Sequence, residues 1–196
     1  MDQLFFTKTF YSTFQWRDST YYLGAILPDY QKDLLEGINH LSPHSIRNRF
    51  LGGKKTLTEK ELHYLTHFDG INHFALGVRN SEQRGIAVTR MVRSNDNANL
   101  AEIAITIIDE YQNLGLGTLL FKVIAYAAYE RGINELIIHL LQQNEGMQKL
   151  ARKVGRLISK IFHGETVTYT IKLEETEMNK IKSELEELFI EIKKAQ

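Results

Sequence analysis

The sequence predicts an α/β (α+β) domain, a mixed sheet flanked by helices, from three observations. An apolar, β-branched run at Ile103–Ile108 precedes a Gly-rich turn at Gly115 and Gly117, and the turn feeds a segment with apolar residues at helical spacing. A further apolar run, Glu135 to Leu141, follows that segment and completes a strand–helix–strand unit. On both sides of this unit, short β-rich runs are joined by compact polar links of the kind that close antiparallel hairpins.

Taken in order, residues 1–16 are dense in aromatics (Phe5, Phe6, Phe10, Tyr11, Phe14, Trp16) and read as an N-terminal arm or extra strand over an apolar surface. Arg17-Asp18-Ser19 turns into a strand at about Thr20 to Leu27, and Pro28 suits the first position of a helix reaching about Leu41. Ser42-Pro43 is an N-cap with proline at N1, so a second helix starts there and ends at Gly52-Gly53. Thr58 with Glu61 makes a capping box for a third helix running towards Asp69-Gly70. Strands follow at about His73 to Arg79 and Gly85 to Arg93, with the polar tract from Ser94 to Asn99 as a hairpin loop. Two more strands, about Leu157 to Phe162 and Val167 to Leu173, are joined by His163-Gly164-Glu165. The main domain is thus 17–173. Residues 174–196 form a C-terminal amphipathic helix whose stripe (Ile181, Leu185, Leu188, Phe189, Ile192) must bury against the domain or against a second copy in a homodimer.

Composition narrows the function. At 196 residues the chain suits one domain with short additions. Lysine plus arginine (24) balance aspartate plus glutamate (24), so no broad basic field exists for nucleic acid, and an anionic ligand needs a locally built site. The absence of cysteine excludes disulfides, thiolate nucleophiles and Cys-based metal sites. The N-terminal MDQLFFTKTF has neither a signal-peptide pattern nor a sustained apolar run, which points to a cytoplasmic protein without a membrane partner.

The turn is the chemically loaded segment. Leu116, Leu119, Leu120, Val123, Ile124 and Ala127 put one apolar stripe on the helix that follows it. The turn therefore sits at a helix N-terminus, where unpaired N–H groups and the helix dipole favour a phosphate. A dinucleotide fingerprint would need glycine where Leu120 stands, and a Walker loop would need Gly-Lys-Ser/Thr; neither is present. In the strand, Glu102, Ala104, Thr106 and Ile108 share one face, so a carboxylate lies among small side chains. His63, His67, Asp69 and His73 lack an HExxH pattern and read as structural or surface groups, not a metal site; His139 reads as a core or cleft-wall residue, and Asp109 and Glu110 as solvated loop charges.

Gln112-Asn113-Leu114-Gly115-Leu116-Gly117 resembles the acyl-CoA-binding signature, Gln/Arg-x-x-Gly-x-Gly/Ala, of the GNAT superfamily of N-acetyltransferases. Asn144, Met147, Leu150, Ala151 and Gly155 are similar to that family's downstream segment, and the resemblance spans roughly residues 17–173. Leu41–Phe50 and Leu57–Asp69 resemble the N-terminal helices of GNAT domains in bacterial protein-lysine acetyltransferases. The resemblance implies a mostly antiparallel sheet of about six to seven strands with a splayed parallel pair, strands 102–108 and 135–141. It implies acetyl-CoA as co-substrate and no metal. Backbone groups at Ile107 and Ile108 would meet the pantetheine and supply a donor to the thioester oxygen. The amides of Asn113, Leu114, Gly115, Leu116, Gly117 and Thr118 would hold the pyrophosphate, with Gln112 and Asn144 as further contacts.

A lysine-like amine (pKa about 10.4) must lose a proton before it attacks, and Glu102 is the candidate general base. The general acid often seen in the family, a tyrosine, is replaced by Ala151, and the basic residue often seen in the turn is replaced by Leu114. The implied acceptor is a protein lysine, with Arg47 and Arg49 as candidates for the acceptor side; a small-molecule amine acetyltransferase and a catalytically weak acyl-CoA sensor are the alternatives.

Overall fold

The computed structural model describes residues 4–52, 54 and 56–189. One eight-stranded sheet organises it: β1 (Tyr11–Trp16), β2 (Ser19–Ala25), β3 (His73–Arg79), β4 (Gly85–Arg93), β5 (Leu100–Ile107), β6 (Glu135–Leu141), β7 (Arg156–His163) and β8 (Thr166–Lys172), in the order β1-β2-β3-β4-β5-β6-β8-β7. Every neighbouring pair is antiparallel except β5 and β6. The count exceeds the expected six to seven because residues 11–16 pair along their whole length with β2, from Tyr11 opposite Gly24 to Trp16 opposite Ser19.

Helices cover both faces. On one face lie α1 (Gln31–Asn39) and α2 (Pro43–Phe50), with α3 (Glu59–Thr66) packed on α1. Local chemistry sets their ends. Pro28 opens a 3₁₀ turn and α1 begins only at Gln31, so the expected single helix from Pro28 is divided. Ser42 caps α2 by accepting from the Ser45 N–H, and Leu51 closes it in a left-handed conformation one residue before the expected glycines; Gly53 lies outside the described residues. Thr58 and Glu61 form the reciprocal capping box of α3.

On the other face α4 (Leu116–Tyr129) packs on β4 and β5, and α6 (Glu175–Phe189) packs on α4 and β1, while the short α5 (Glu145–Leu150) follows β6. α4 is buried beyond its expected stripe, at Phe121, Ala125 and Ala128 too, because α6 covers its outer side. Of the expected α6 stripe, Ile181, Leu185 and Phe189 are buried within the chain, together with Met178, while Leu188 is half-buried and Ile192 lies outside the described residues. Among the described residues no helix is long and apolar enough to cross a membrane.

The N-terminal aromatics fill the angle between α4, α6 and β1. Phe5, Phe6, Phe10 and Phe14 place their rings within 5.8–6.4 Å of Phe189. Their backbone is fixed by a charged pair at the end of α4. Glu130 accepts from the N–H groups of Phe5 (2.7 Å) and Phe6 (3.0 Å), and Arg131 donates to the carbonyls of Phe6 (2.6 Å), Gly70 (2.9 Å) and Ala127 (2.7 Å). Arg131 is only 9% exposed and pairs with Glu130 at 2.9 Å. Removing one member of such a pair strands the other charge, at a typical cost of about 3–5 kcal/mol. Arg131→Met is therefore expected to lower the unfolding free energy by that order, read by urea unfolding as a lower midpoint with an unchanged m-value.

On β3, His73 lies against the rings of Tyr64 (4.7 Å) and Phe68 (5.2 Å) and contacts the buried Arg90. Burial, and then the Arg90 charge, hold its pKa down to about 4, against the pull of Asp69. An unfolded histidine titrates near 6.5, so between these values only the unfolded chain takes up the proton. Its contribution to stability is full above about pH 6.5 and is lost as pH falls towards 4. Thermal midpoints from pH 7 to pH 4 should fall more steeply for the wild type than for His73→Gln.

Candidate active site

β5 and β6 pair over only three rungs, Leu100–Glu102 with Glu135–Ile137. β5 continues to Ile107 held by β4 on its other edge, and β6 continues to Leu141 held by β8, so the facing edges part. The Ile108 N–H donates to the Ile86 carbonyl (3.0 Å), which sets the alternation. Even-numbered residues of β5 turn their backbone groups to β4, whereas Ile103, Ile105 and Ile107 turn theirs into the gap. The gap opens into a cleft of about 370 Å³. This corrects one expected contact. Ile108 is buried, with its N–H taken by Ile86 and its carbonyl by Tyr111 N–H, so it offers nothing to the cleft.

The Gly-rich turn stands at the mouth of the gap. Asn113 (φ 59°) and Gly115 (φ 91°) are left-handed, and Gly115 is the N-cap of α4. A Cβ on Gly115 would come within 3.0 Å of Trp16 Cζ2, so glycine is needed there for space as well as for φ. Among the described residues the amides of 113–117 donate to no protein acceptor, whereas the Thr118 N–H, expected to join them, is taken by the Gly115 carbonyl (3.0 Å) as the first turn of α4 closes. Gln112, Asn113, Gly115, Gly117, Thr118 and Asn144 line the cleft together with Ile107. The side chains of Leu114 and Leu116 do not: Leu116 is buried in the core, and only their amides belong to the turn's open edge. The Gln112 amide group donates to the Ile107 carbonyl (2.9 Å) and to Ser45 Oγ (3.0 Å), and Asn144 Oδ1 caps α5 by accepting from the Met147 N–H (3.1 Å).

Glu102 occupies the last rung before the strands part, opposite both Val92 and Ile137, with its side chain exposed. Asn48 and Arg49 of α2 line the same cleft. Arg49 also lines a second cavity, of about 320 Å³, beneath α1–α3. Burial lowers its pKa while the Glu102 charge opposes that shift. Arg47, by contrast, pairs with Glu165 at 2.9 Å.

α2 is tied to the segment after β5 by Asp109, which is exposed as expected of a loop charge and also hydrogen-bonded. Asp109 accepts from Ser42 N–H (2.9 Å), Ser42 Oγ (2.6 Å) and Ser45 Oγ (3.0 Å), because the 3₁₀ turn after β5 brings it under the α2 N-terminus. Burial works against its charge, but these donors hold its pKa below the usual carboxylate range. Glu110 pairs with Arg84 (3.3 Å). His139 lines the cleft and meets Thr168 Oγ1 through Nδ1 (3.0 Å), while His63 and His67 stack with ring centroids 3.8 Å apart.

Three functional candidates were not legible in the turn itself. Lys153 Nζ donates to Thr118 Oγ1 (3.2 Å) and brings a cation to the first turn of α4. Asn48 has a buried Oδ1 without a partner among the described residues. Trp16 reaches the turn from β1. None carries a local motif. Ala151 is fully buried (0% exposed), so no side chain from that position reaches the cleft.

The family model described as the acetyltransferase (GNAT) domain matches residues 30–156. Acetyltransferase Pat of Mycolicibacterium smegmatis is 31% identical over 137 residues, covering 69% of this chain, and the chain spans 40% of that relative's length. The solved GNAT domain of S. lividans PAT superposes with a TM-score of 0.73 at 25% identity, over 81% of this chain and 93% of that one. Salmonella typhimurium yncA, solved with its cofactor acetyl-CoA, shares the fold with a TM-score of 0.64 at 14% identity, over 79% of this chain and 95% of that one. Splayed strands, a Gly-rich turn at a helix N-terminus and the family match agree: the chain belongs to the GNAT acetyltransferase family.

Proposed function

We propose that this protein is an acetyl-CoA-dependent N-acetyltransferase that passes the acetyl group directly to a primary amine, a protein lysine, with Glu102 as general base. The carrying observation is the place of Glu102, at the vertex where β5 and β6 part, beside an open strand edge and a turn of unpaired amides.

Acetyl-CoA, when bound, supplies an acetyl thioester. The residues present fit it. The free amides of 113–117, with the α4 dipole and Lys153, suit a pyrophosphate. The backbone groups of Ile105 and the N–H of Ile107 suit an extended amide chain laid along β5 as an added strand, and Asn144 lines the same cleft. Ile107, whose N–H faces the gap, is the donor for charge developing on the acetyl oxygen. Glu102 takes the proton from the incoming amine, directly or through water.

The lysine acceptor rests on the resemblance of 41–50 and 57–69 to bacterial protein-lysine acetyltransferases, together with likeness to the S. lividans PAT domain. A second reading, an acyl-CoA sensor with weak catalysis, is favoured by the buried Ala151 in place of an acid.

The test is release of CoA thiol from acetyl-CoA with and without a lysine-peptide pool. Glu102→Gln should slow lysine-dependent release at least tenfold, about 1.4 kcal/mol of barrier, while acetyl-CoA affinity is retained. Unchanged release would remove Glu102 as base, binding without release would favour the sensor, and turnover of small amines alone would exclude the lysine acceptor.

A further inference from the structure

Outside the family match at 30–156, the chain adds β1, and its last residue reaches the cofactor turn. The Trp16 indole N–H donates to the Leu114 carbonyl at 3.0 Å, and the ring edge stands 3.0 Å from where a Cβ of residue 115 would be. We infer that Trp16 is a positioning residue for the pyrophosphate turn: it fixes the Leu114–Gly115 peptide so that its N–H is presented to the cofactor. This inference rests on the acetyl-CoA reading above.

The geometry follows from one property of the chain. The described peptides are trans, so the carbonyl and N–H of one peptide unit point opposite ways. Drawing the Leu114 carbonyl to the indole turns the Gly115 N–H away from it, and that N–H has no protein acceptor among the described residues, while Gly115 lines the cleft. The unit needs such a hold. A flip of the Leu114–Gly115 peptide changes only ψ of Leu114 and φ of Gly115, and glycine adopts negative φ about as readily as the 91° it has here, so Gly115 itself does not fix which way the N–H points.

The clamp itself is firmly based. Trp16 lies opposite Ser19 at the closed end of the β1–β2 hairpin, and Phe14, two residues earlier, packs on Tyr21 (5.7 Å) and on Phe189 of α6 (6.0 Å). Leu114 puts no charge in the turn, so phosphate binding depends on amides that already face the ligand. An indole held against the sheet supplies that order.

Trp16 is the sole tryptophan of the chain, so binding can be read without catalysis. The experiment titrates the full chain with CoA, following tryptophan emission and calorimetric heat, and compares acetyl-CoA kinetics and melting midpoint for the wild type and Trp16→Phe. Expected are a saturable emission change with the calorimetric midpoint, a KM for acetyl-CoA raised about tenfold in Trp16→Phe, and a kcat within twofold of the wild type. A merely structural indole would lower kcat and melting midpoint together and leave KM in place, which would overturn the inference. CoA affinity within twofold in Trp16→Phe would overturn it as well, leaving the enzyme reading intact. If Trp16→Phe fails to fold, the wild-type titration decides, and emission that stays flat while heat reports binding counts against the clamp. A wild type that binds no CoA would remove the enzyme reading and the clamp together.

Discussion

The parting of β5 and β6 is the constraint on which the rest of the structure depends. A strand edge buried beside a helix layer must satisfy its N–H and C=O groups, and here the obvious partner is withheld after three rungs. Both strands are paired on their outer edges, by seven residue pairs to β4 and seven to β8, so beyond the third rung only their facing edges are left open. A parallel pair also requires a crossover, and the crossover is α4, whose N-terminus must start near the C-terminal end of β5. Open backbone edge and unpaired helix amides are therefore neighbours by topology. A ligand with an extended amide arm and a phosphate end satisfies both.

Keeping that geometry falls to contacts that are not local in sequence. Asp109 joins the segment after β5 to the N-terminus of α2, and Gln112 joins the turn to Ser45 and back to Ile107. These bonds hold α2, with Asn48 and Arg49, over the vertex where Glu102 lies. At the far side Arg131 and Glu130 fix the N-terminal aromatics, which support β1 and so Trp16. Elements outside the family match thus brace the part inside it.

What could be read from the residues were features whose physics is short-range. The strand–turn–helix unit, the Ser42-Pro43 cap, the Thr58/Glu61 box and the paired hairpin strands depend on neighbours a few residues apart, and they occur where those neighbours place them. The division of labour between Ile107 and Ile108 was not legible, since it depends on which β4 carbonyl takes which N–H. Asp109 is exposed, as expected of a loop charge, but its bonds to α2 were not legible because their donors lie 64 to 67 residues away, and Arg131 gave no signal because its acceptors are backbone carbonyls, which every residue carries. The all-round burial of α4 likewise depends on α6, more than forty residues downstream.

The missing acid at Ala151 weighs less against the proposed transfer than it first suggests. At about pH 7.5, freeing a lysine amine of pKa about 10.4 costs about 4 kcal/mol, whereas releasing a thiolate unprotonated, with a pKa near 8.5, costs about 1.4 kcal/mol. On these figures the transfer gains more from a base than from an acid. The structure has that asymmetry: an exposed carboxylate at the vertex of the strands, and a buried alanine where an acid would otherwise stand. The same economy would hold at the phosphate end of the proposed cofactor site, where Leu114 brings no charge, the turn's amides are unpaired among the described residues, and Lys153 reaches Thr118 from a distant segment. A neutral chain can hold a polyanion this way because fixed amides and a helix terminus favour an anion without a basic surface that would attract nucleic acid.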